Sequence, residues 1–571
     1  MRKLLMILGL IALNYCLGQA QTTSNLQIIW QKASPDIGGG CRYWGYRMAG
    51  GDLNGDGYSD FVSATDTVID ISGWIKSRIY IFLGGATLST VPSQVITYDT
   101  TGDHQKICIA DFNNDGYADL ALGDAYGTGV NETKGCVNIH YGTGVDLNTS
   151  PDLVIGGYNG IASTSFGCAL SSGDINGDGI DDLIVGAQDY GESNARGRVY
   201  IYYGDTLGLD IWPDIIMNGR SEAGYWENFG NAISAEDLNG DGYDDIIVGA
   251  YNNCGGGFAA GKVYYYFSSD APIDTVPDGW IYGEGYEQWL SCFGLSLIKS
   301  DTIGFSPVGW FGTPIWNNPS GGFGRGKSYM APGDTLGEIT PLWTITGNDL
   351  SDSALGYWSC SAGYADNDKL GDVVSSALVA FADPGRVNLW LRRPIMRQQP
   401  DAYIIGRAST PGGDALGGKI APAGDVDSCG RDEFLISNYF ADTDNTIWLC
   451  KYTGPDGVEQ IPDDRLQMTG IKLGQNYPNP FRQSTVISFQ LPIGGPVKLA
   501  VYNIAGQLIK ILIDDPSPNA LGEGRVGSVP KMGSVTWDGR DDNGRAVANG
   551  VYIYRLNAGG KSISKKMIII K

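Results

Sequence analysis

Seven segments alternate apolar and polar positions with a period of two, the pattern of half-buried β-strands. They are RIYIFLG from Arg78, CVNIHYG from Cys136, RVYIYYG from Arg198, KVYYYF from Lys262, KSYMAPG from Lys327, RVNLWL from Arg386 and TIWLCKY from Thr446. A second set of short strands follows turns rich in Asp and Pro: SQVITY, DLVIGG, DIIMNG, GWIYGE, LWTITG and AYIIGR. Six of these lie between consecutive repeats, and the seventh counterpart, NLQIIWQ from Asn25, stands at the front of the chain. No long amphipathic helical pattern interrupts the series, and Gly is abundant, so the chain is expected to be all-β with many turns.

Four acidic nonamers punctuate these strands: DLNGDGYSD from Asp52, DFNNDGYAD from Asp111, DINGDGIDD from Asp174 and DLNGDGYDD from Asp237. Each offers a carboxylate, an amide oxygen and a carboxylate at positions 1, 3 and 5, Gly at 6 and Asp at 9. A hard cation such as calcium takes six to eight oxygens at about 2.3 to 2.6 Å, and alternate side chains of a tight turn can converge to supply them. The expected ligands are Asp52, Asn54, Asp56 and Asp60; Asp111, Asn113, Asp115 and Asp119; Asp174, Asn176, Asp178 and Asp182; and Asp237, Asn239, Asp241 and Asp245. The main-chain carbonyl of Tyr58, Tyr117, Ile180 or Tyr243 would join each set, giving about four calcium sites. Asp, Asn and Gly are also ordinary turn formers, but turn chemistry alone would accept Ser, Pro or Lys here, and four copies keep the same oxygens. An EF-hand is the weaker alternative, because its loop needs a bidentate Glu at position 12 and flanking helices. These nonamers run instead into FVSA, LALG, LIVGA and IIVGA.

The nonamers recur every 59 to 63 residues, a period that points to a propeller of short-stranded sheets. An aromatic residue or Leu followed by Gly precedes most of the loops of the repeat, including those past the fourth nonamer: Trp44-Gly45, Phe166-Gly167, Phe229-Gly230, Phe293-Gly294, Leu355-Gly356 and Leu416-Gly417. If the strand from Asn25 completes the last sheet, the ring closes on strand hydrogen bonds and leaves no exposed edge at the seam. The expected fold is therefore all-β, a seven-bladed β-propeller over 25–455 followed by a small Ig-like β-sandwich.

The combination of FG, DxNxDGxxD and a segment such as VGAQD or VGAYN resembles the FG-GAP repeats that build the seven-bladed propeller of integrin α chains. The resemblance implies calcium-holding loops on one face of the propeller and ligand binding by other loops. Only four repeats match fully. In the fifth, DTIGFSPVG from Asp301 keeps a single carboxylate, so that loop is expected to hold no ion. In the sixth, DNDKLGD from Asp366 to Asp372 is two residues short. In the seventh, Asp425, Asp427 and Glu433 persist but Cys429 takes position 5, so a weak or absent site is expected. The second repeat lacks FG and has Asp103-His104 there.

Residues 1–20 read as a secretory signal peptide, with Arg2 and Lys3 ahead of LLMILGLIAL and small residues before a cut after Ala20. No later run approaches 18 apolar residues, the length of a spanning helix. Nine cysteines remain past residue 20, with no CxxC or Cys/His zinc spacing; Cys108, Cys168 and Cys360 fall on expected inner strands, where buried thiols are as reasonable as bridges. A formal charge of −24 argues against nucleic acid, which needs clustered Lys and Arg, and the nonamers account for part of the excess.

A polar linker over 456–472 leads to the strand pattern STVISFQLP, VKLAVYNIAGQLI, SVTWDGRDDNG, GVYIYRLNA and SKKMIIIK. NYPNPF at 476–481, VYNIAGQLI, WDGRDDNGRAVANGVYIYRL and the end KKMIIIK resemble the type A C-terminal sorting domain of cargo of the type IX secretion system. That resemblance implies the type IX secretion machinery as a partner and a secreted or cell-surface location. Asp538, Asp541, Asp542 and Asn543 do not keep the nonamer spacing and fit a hairpin turn.

No HExxH, GxSxG or phosphate-cradling motif is present. His140 aligns with Phe82 and Tyr202 and reads as a replaced aromatic; His104 stands at a repeat Gly. The expected role is therefore a non-catalytic module that binds an extracellular protein or glycan. The alternative is a polysaccharide lyase or hydrolase that uses carboxylates brought together across blades. Trp310, Phe311 and Trp316, and Tyr43, Trp44 and Tyr46, are the aromatics considered as contact surfaces, although blade core is the simpler reading for each.

Overall fold

The computed structural model describes residues 21–454 and 472–570, apart from the loops 35–43, 157–164, 299–307, 314–325, 347–354, 407–415 and 516–530 and shorter ones. The signal-peptide and linker readings, most of NYPNPF, Tyr43, Trp316 and the fifth-repeat loop from Asp301 lie outside the described residues. The chain divides into two compact units, Met1–Gly457 and Val458–Lys571. All described regular structure is β, as the period-two patterns require.

The long unit is a β-propeller. Among the described residues its strands form seven groups of four antiparallel strands, the second and third joined by a bridge between Phe166 and Gly135; Gln21–Thr22 adds a fifth strand to the sixth group and Gly337–Glu338 a parallel fifth strand to the fourth. The first comprises Arg47–Gly51, Asp60–Ile69, Ile75–Phe82 and Gln94–Tyr98. In the seventh, Lys419–Gly424, Glu433–Ser437 and Thr446–Tyr452 are completed by Leu26–Ala33, with Leu26 opposite Tyr452 and Ala33 opposite Thr446. The strand at the front of the chain thus supplies the last strand of the last sheet. The first strands of successive groups pack against one another, and Lys419–Gly424 of the seventh returns to Arg47–Gly51 of the first, so the series is cyclic.

Why these inner strands approach so closely is visible at the FG glycines. Gly230 has φ 86°, and a Cβ there would stand 2.6 Å from the Arg198 carbonyl oxygen of the preceding sheet. Gly167 and Gly356 sit in the same conformation against the Cys136 and Lys327 carbonyls. The residue before each glycine is a core plug: Trp44, Phe166, Phe229, Leu355 and Leu416 are buried. Trp44 meets Tyr80 edge-on with ring centroids 5.1 Å apart, one of the favoured aromatic geometries.

Trp310 and Phe311 do not form a contact surface. Both are fully buried in the strand Val308–Thr313, Trp310 against Trp343 and Trp390 and Phe311 against Tyr329. Burying an indole of this size outweighs any gain from displaying it, and an alternating strand turns it into the sheet interface. Tyr46 is half-buried. All seven described cysteines are free thiols; Cys108, Cys136, Cys168 and Cys450 are buried, with burial raising each thiol pKa.

The second unit is a two-sheet sandwich. One sheet orders Lys472–Leu473, Thr485–Leu491 and Lys531–Trp537; the other orders Leu508–Asp515, Val497–Asn503, Gly550–Ala558 and Lys561–Ile569. Leu499, Val501, Trp537, Tyr554 and Met567 fill the space between them. Asp541 donates its N–H to the Arg545 carbonyl and accepts the Arg545 N–H on its carboxylate, a hairpin turn as its spacing implies.

Candidate metal-binding loops

Each nonamer joins the first strand of a sheet to the second, and its position 2 residue is the anchor: Leu53, Phe112, Ile175 and Leu238 are buried in the core. The turn then wraps around position 1. In the first loop, Asp52 Oδ1 accepts N–H groups from Gly55 at 2.8 Å and Asp56 at 3.2 Å, while Oδ2 accepts that of Gly57 at 2.9 Å. Asn54 Oδ1 accepts the Asp56 N–H at 3.0 Å, and Asp56 Oδ1 accepts that of Tyr58 at 2.9 Å. The same set returns around Asp174 and Asp237, and around Asp111 it differs in one bond, Asp111 Oδ1 accepting the Asn113 N–H at 3.3 Å in place of that of position 4. Position 6 needs glycine for its backbone, not for space: Gly57, Gly116, Gly179 and Gly242 have φ between 85° and 91°, and a Cβ at any of them would meet nothing within 4 Å.

Position 9 has a role that its spacing alone did not reveal. Asp60 is fully buried; its Oδ2 accepts the Leu53 N–H at 3.0 Å and its Oδ1 accepts the Gly84 N–H at 2.8 Å. Asp119 clamps Phe112 and Gly142, Asp182 clamps Ile175 and Gly204, and Asp245 clamps Leu238 and Ser268 in the same way. The last carboxylate therefore ties the loop to the end of the sheet's third strand, and each of its oxygens retains a further lone pair. Burial pushes these carboxyls up, Asp60 to about 6 and the other three to about 7. The two backbone donors oppose that shift, and the charges at positions 5 and 1 add to it. Among the described residues no ion pair engages the carboxylates at positions 1, 5 and 9 of these four loops. Each loop is thus a hydrogen-bonded cup of hard oxygens with surplus negative charge, a donor set that suits calcium or magnesium rather than a soft metal.

The loops are also linked to one another. The Ser59 N–H donates to the Asp425 carbonyl, the Ala118 N–H to that of Asp52, the Asp244 N–H to that of Asp174 and the Asp432 N–H to that of Tyr364.

In the sixth loop Asp366 and Asp372 are fully buried, and burial raises both carboxyls, Asp366 to about 7. In the seventh, Asp425, Asp427, Cys429 and Glu433 place one ligand atom each within 4.8 Å of one another. Among the described residues this is the one group of acidic, thiol or imidazole side chains that gathers so tightly, although its sequence departs from the nonamer. The first four loops, with an amide at position 3, form no such group among the described residues. Lys451 was missed by loop spacing, because it lies on the third strand: its Nζ is 2.5 Å from Asp427 Oδ2 and 3.5 Å from Glu433 Oε1.

Neither histidine lies in these loops. His140 is buried and bonds to the Tyr98 hydroxyl and, through Nδ1 at 2.8 Å, to the Asn148 carbonyl. It pairs with Leu120 as Phe82 pairs with Phe61 and Tyr202 with Leu183, the replaced aromatic that the alignment implied.

Comparison with known proteins agrees on the repeat. The FG-GAP repeat family matches residues 166–202 and 229–266, and the FG-GAP-like repeat family matches 52–122. The chain is 33% identical to integrin alpha-V of Gallus gallus over 224 residues, 37% of this chain and 20% of that protein. It is 29% identical to phosphatidylinositol-glycan-specific phospholipase D of Homo sapiens over 263 residues, 42% of this chain and 30% of that protein. The chain thus spans less than a third of the length of either relative. A solved structure of PorZ, a surface component of the type-IX secretion system of Porphyromonas gingivalis, superposes with a TM-score of 0.36 at 12% identity, covering 90% of this chain and 58% of that one. FG-GAP-type repeats thus match three segments of the chain, and the fold that carries them is a β-propeller whose acidic loops offer hard oxygen donors. No helix among the described residues is long and apolar enough to cross a membrane.

Proposed function

We propose that the chain is an exported, seven-bladed, calcium-stabilised propeller that binds an extracellular protein or glycan without transforming it. The observation that carries this reading is the set of four acidic cups, in each of which position 1 accepts the N–H groups of positions 5 and 6, without cationic partners among the described residues. Calcium in Asp52–Asp60, Asp111–Asp119, Asp174–Asp182 and Asp237–Asp245 neutralises the carboxylates and ties first, second and third strands together. An ion that binds only the folded state stabilises it by mass action. The residues that hold the ion are committed to it and make poor general acids. The second unit, with its type A sorting-domain motifs, is read as the address for the type IX secretion machinery, which delivers the chain to the outer surface or the medium.

The phospholipase relative keeps an enzymatic reading in view, since the shared segment belongs to a larger enzyme. One experiment separates the two. The full chain is applied to arrays of extracellular-matrix proteins and polysaccharides, and bound material is assayed for new reducing ends, unsaturated sugars and released lipid. Capture without products, abolished by chelator, is expected. Product formation that survives in a variant lacking nonamer carboxylates would replace this reading with an enzymatic one.

A further inference from the structure

The turns between first and second strands in the first four, the sixth and the seventh sheets are described, and they fall into two groups. The first four carry the full nonamer. The sixth and seventh do not, and these two have a cationic side chain at the end of the third strand. Strand registers make the comparison exact in position: the pairs Phe61–Phe82, Leu120–His140, Leu183–Tyr202, Ile246–Tyr266, Val373–Trp390 and Phe434–Cys450 are equivalent. The next residue is Leu83, Tyr141, Tyr203, Phe267 or Leu391 in five sheets and Lys451 in the seventh. One position further stand Gly84, Gly142, Gly204 and Ser268 in the complete sheets and Arg392 in the sixth. Arg392 is buried and feels the charges of Asp372 and Asp368.

The seventh loop otherwise keeps the nonamer scaffold. Asp425 accepts N–H groups from Cys429 at 2.9 Å and Gly430 at 2.8 Å, and Glu433 accepts that of Val426 at 2.8 Å, as Asp52 and Asp60 do in the first loop. Three ligand positions differ: Asp427 replaces the amide at position 3, Cys429 the carboxylate at position 5 and Glu433 the aspartate at position 9, so three carboxylates remain and position 5 offers a thiol. A thiol is a soft donor, poorly matched to a hard cation.

We propose that the ammonium of Lys451 is the resident cation of the seventh loop, standing among Asp427, Cys429 and Glu433 where a metal ion would otherwise sit. The ammonium donates a hydrogen bond to Asp427 Oδ2 at 2.5 Å, and the buried Glu433 Oε1, which has no hydrogen-bond partner among the described residues, lies 3.5 Å from the same nitrogen. Burial alone would lower the lysine pKa and raise that of Asp427; their mutual hydrogen bond reverses both, raising Lys451 and lowering Asp427. The placement has a purpose in the fold. Lys451 lies on the strand that the N-terminal strand Leu26–Ala33 zips onto, opposite Gln27. The sheet that closes the ring is thus locked by a tethered cation that chelation cannot remove.

The contrast with the first four loops rests on the calcium reading above; the lysine contact does not. The full chain is stripped of metal, equilibrated with calcium or zinc, and its bound metal counted by mass spectrometry. Wild type and Asp427→Asn should hold equal amounts of both metals, whereas Cys429→Asp combined with Lys451→Met should hold one more calcium per chain. Wild type exceeding Asp427→Asn by one ion of either metal would overturn the proposal, as would the absence of a gain in a folded double variant. Independently, Lys451→Met should lower the unfolding midpoint equally in calcium and in chelator; no loss in chelator would also overturn it. If wild type holds no calcium at all, the reading of the first four loops fails, while this chelator comparison still decides the role of Lys451.

Discussion

Asp178→Asn in the third loop separates the metal from the turn. The side chain is exposed, so the substitution keeps its shape and leaves the hydrogen bond from the Ile180 N–H to its Oδ1, 2.9 Å in the wild type, able to form. It removes one of the charges that raise the Asp182 carboxyl. In chelator the effect should therefore be small, within about 0.5 kcal/mol, the usual range for a surface change, and its sign should favour the variant because Asp174, Asp178 and Asp182 repel one another. In calcium the result should reverse. A site filled at a hundred times its dissociation constant contributes about 2.7 kcal/mol to folding, and losing a charged ligand forfeits most of that. Urea unfolding in both conditions, followed by tryptophan fluorescence, reads the difference directly. A loss of equal size with and without calcium would refute the reasoning, because the aspartate would then be acting as a turn residue alone.

Three further outcomes are expected. Burial holds the His140 pKa below its ordinary value, so the folded state resists a proton that the unfolded chain accepts, and its contribution to stability is lost as pH falls below about 6.5. The midpoint difference between wild type and His140→Phe, measured in chelator, should shift in favour of the variant from pH 7.5 to 5.5; a constant difference would contradict this. Trp310→Ala should cost about 3 to 5 kcal/mol, the range for a buried aromatic, while the fraction that remains folded keeps its ligand capture; loss of capture with stability intact would restore Trp310 as a contact residue. Deleting 458–571 should leave the propeller folded but retained inside a type IX-competent cell, seen by fractionation; normal export of the truncated chain would contradict the sorting role.

How much of this was legible beforehand depended on whether one turn carried the signal. The nonamers, the FG glycines and the front strand that completes the last sheet were readable, because each is a local pattern repeated in phase. His140 was legible by alignment with Phe82 and Tyr202. Lys451 was not, because it reaches the loop across a strand pair some twenty residues away, and only register brings it there. The double duty of Asp60 and its counterparts was hidden for the same reason, since Gly84 lies just past the end of another strand. Trp310 and Phe311 misled because their neighbours Gly309 and Gly312 resemble an irregular insertion; the strand that contains them points one side chain to each neighbouring sheet interface.

The first four acidic loops are proposed to hold hard divalent cations in the folded propeller. Equilibrium dialysis of the metal-stripped full chain against labelled calcium tests it most directly. About four ions per chain are predicted, falling by one with Asp56→Ala and accompanied by a rise in the unfolding midpoint; no bound calcium at millimolar concentration, with the midpoint unmoved by chelator, would contradict it.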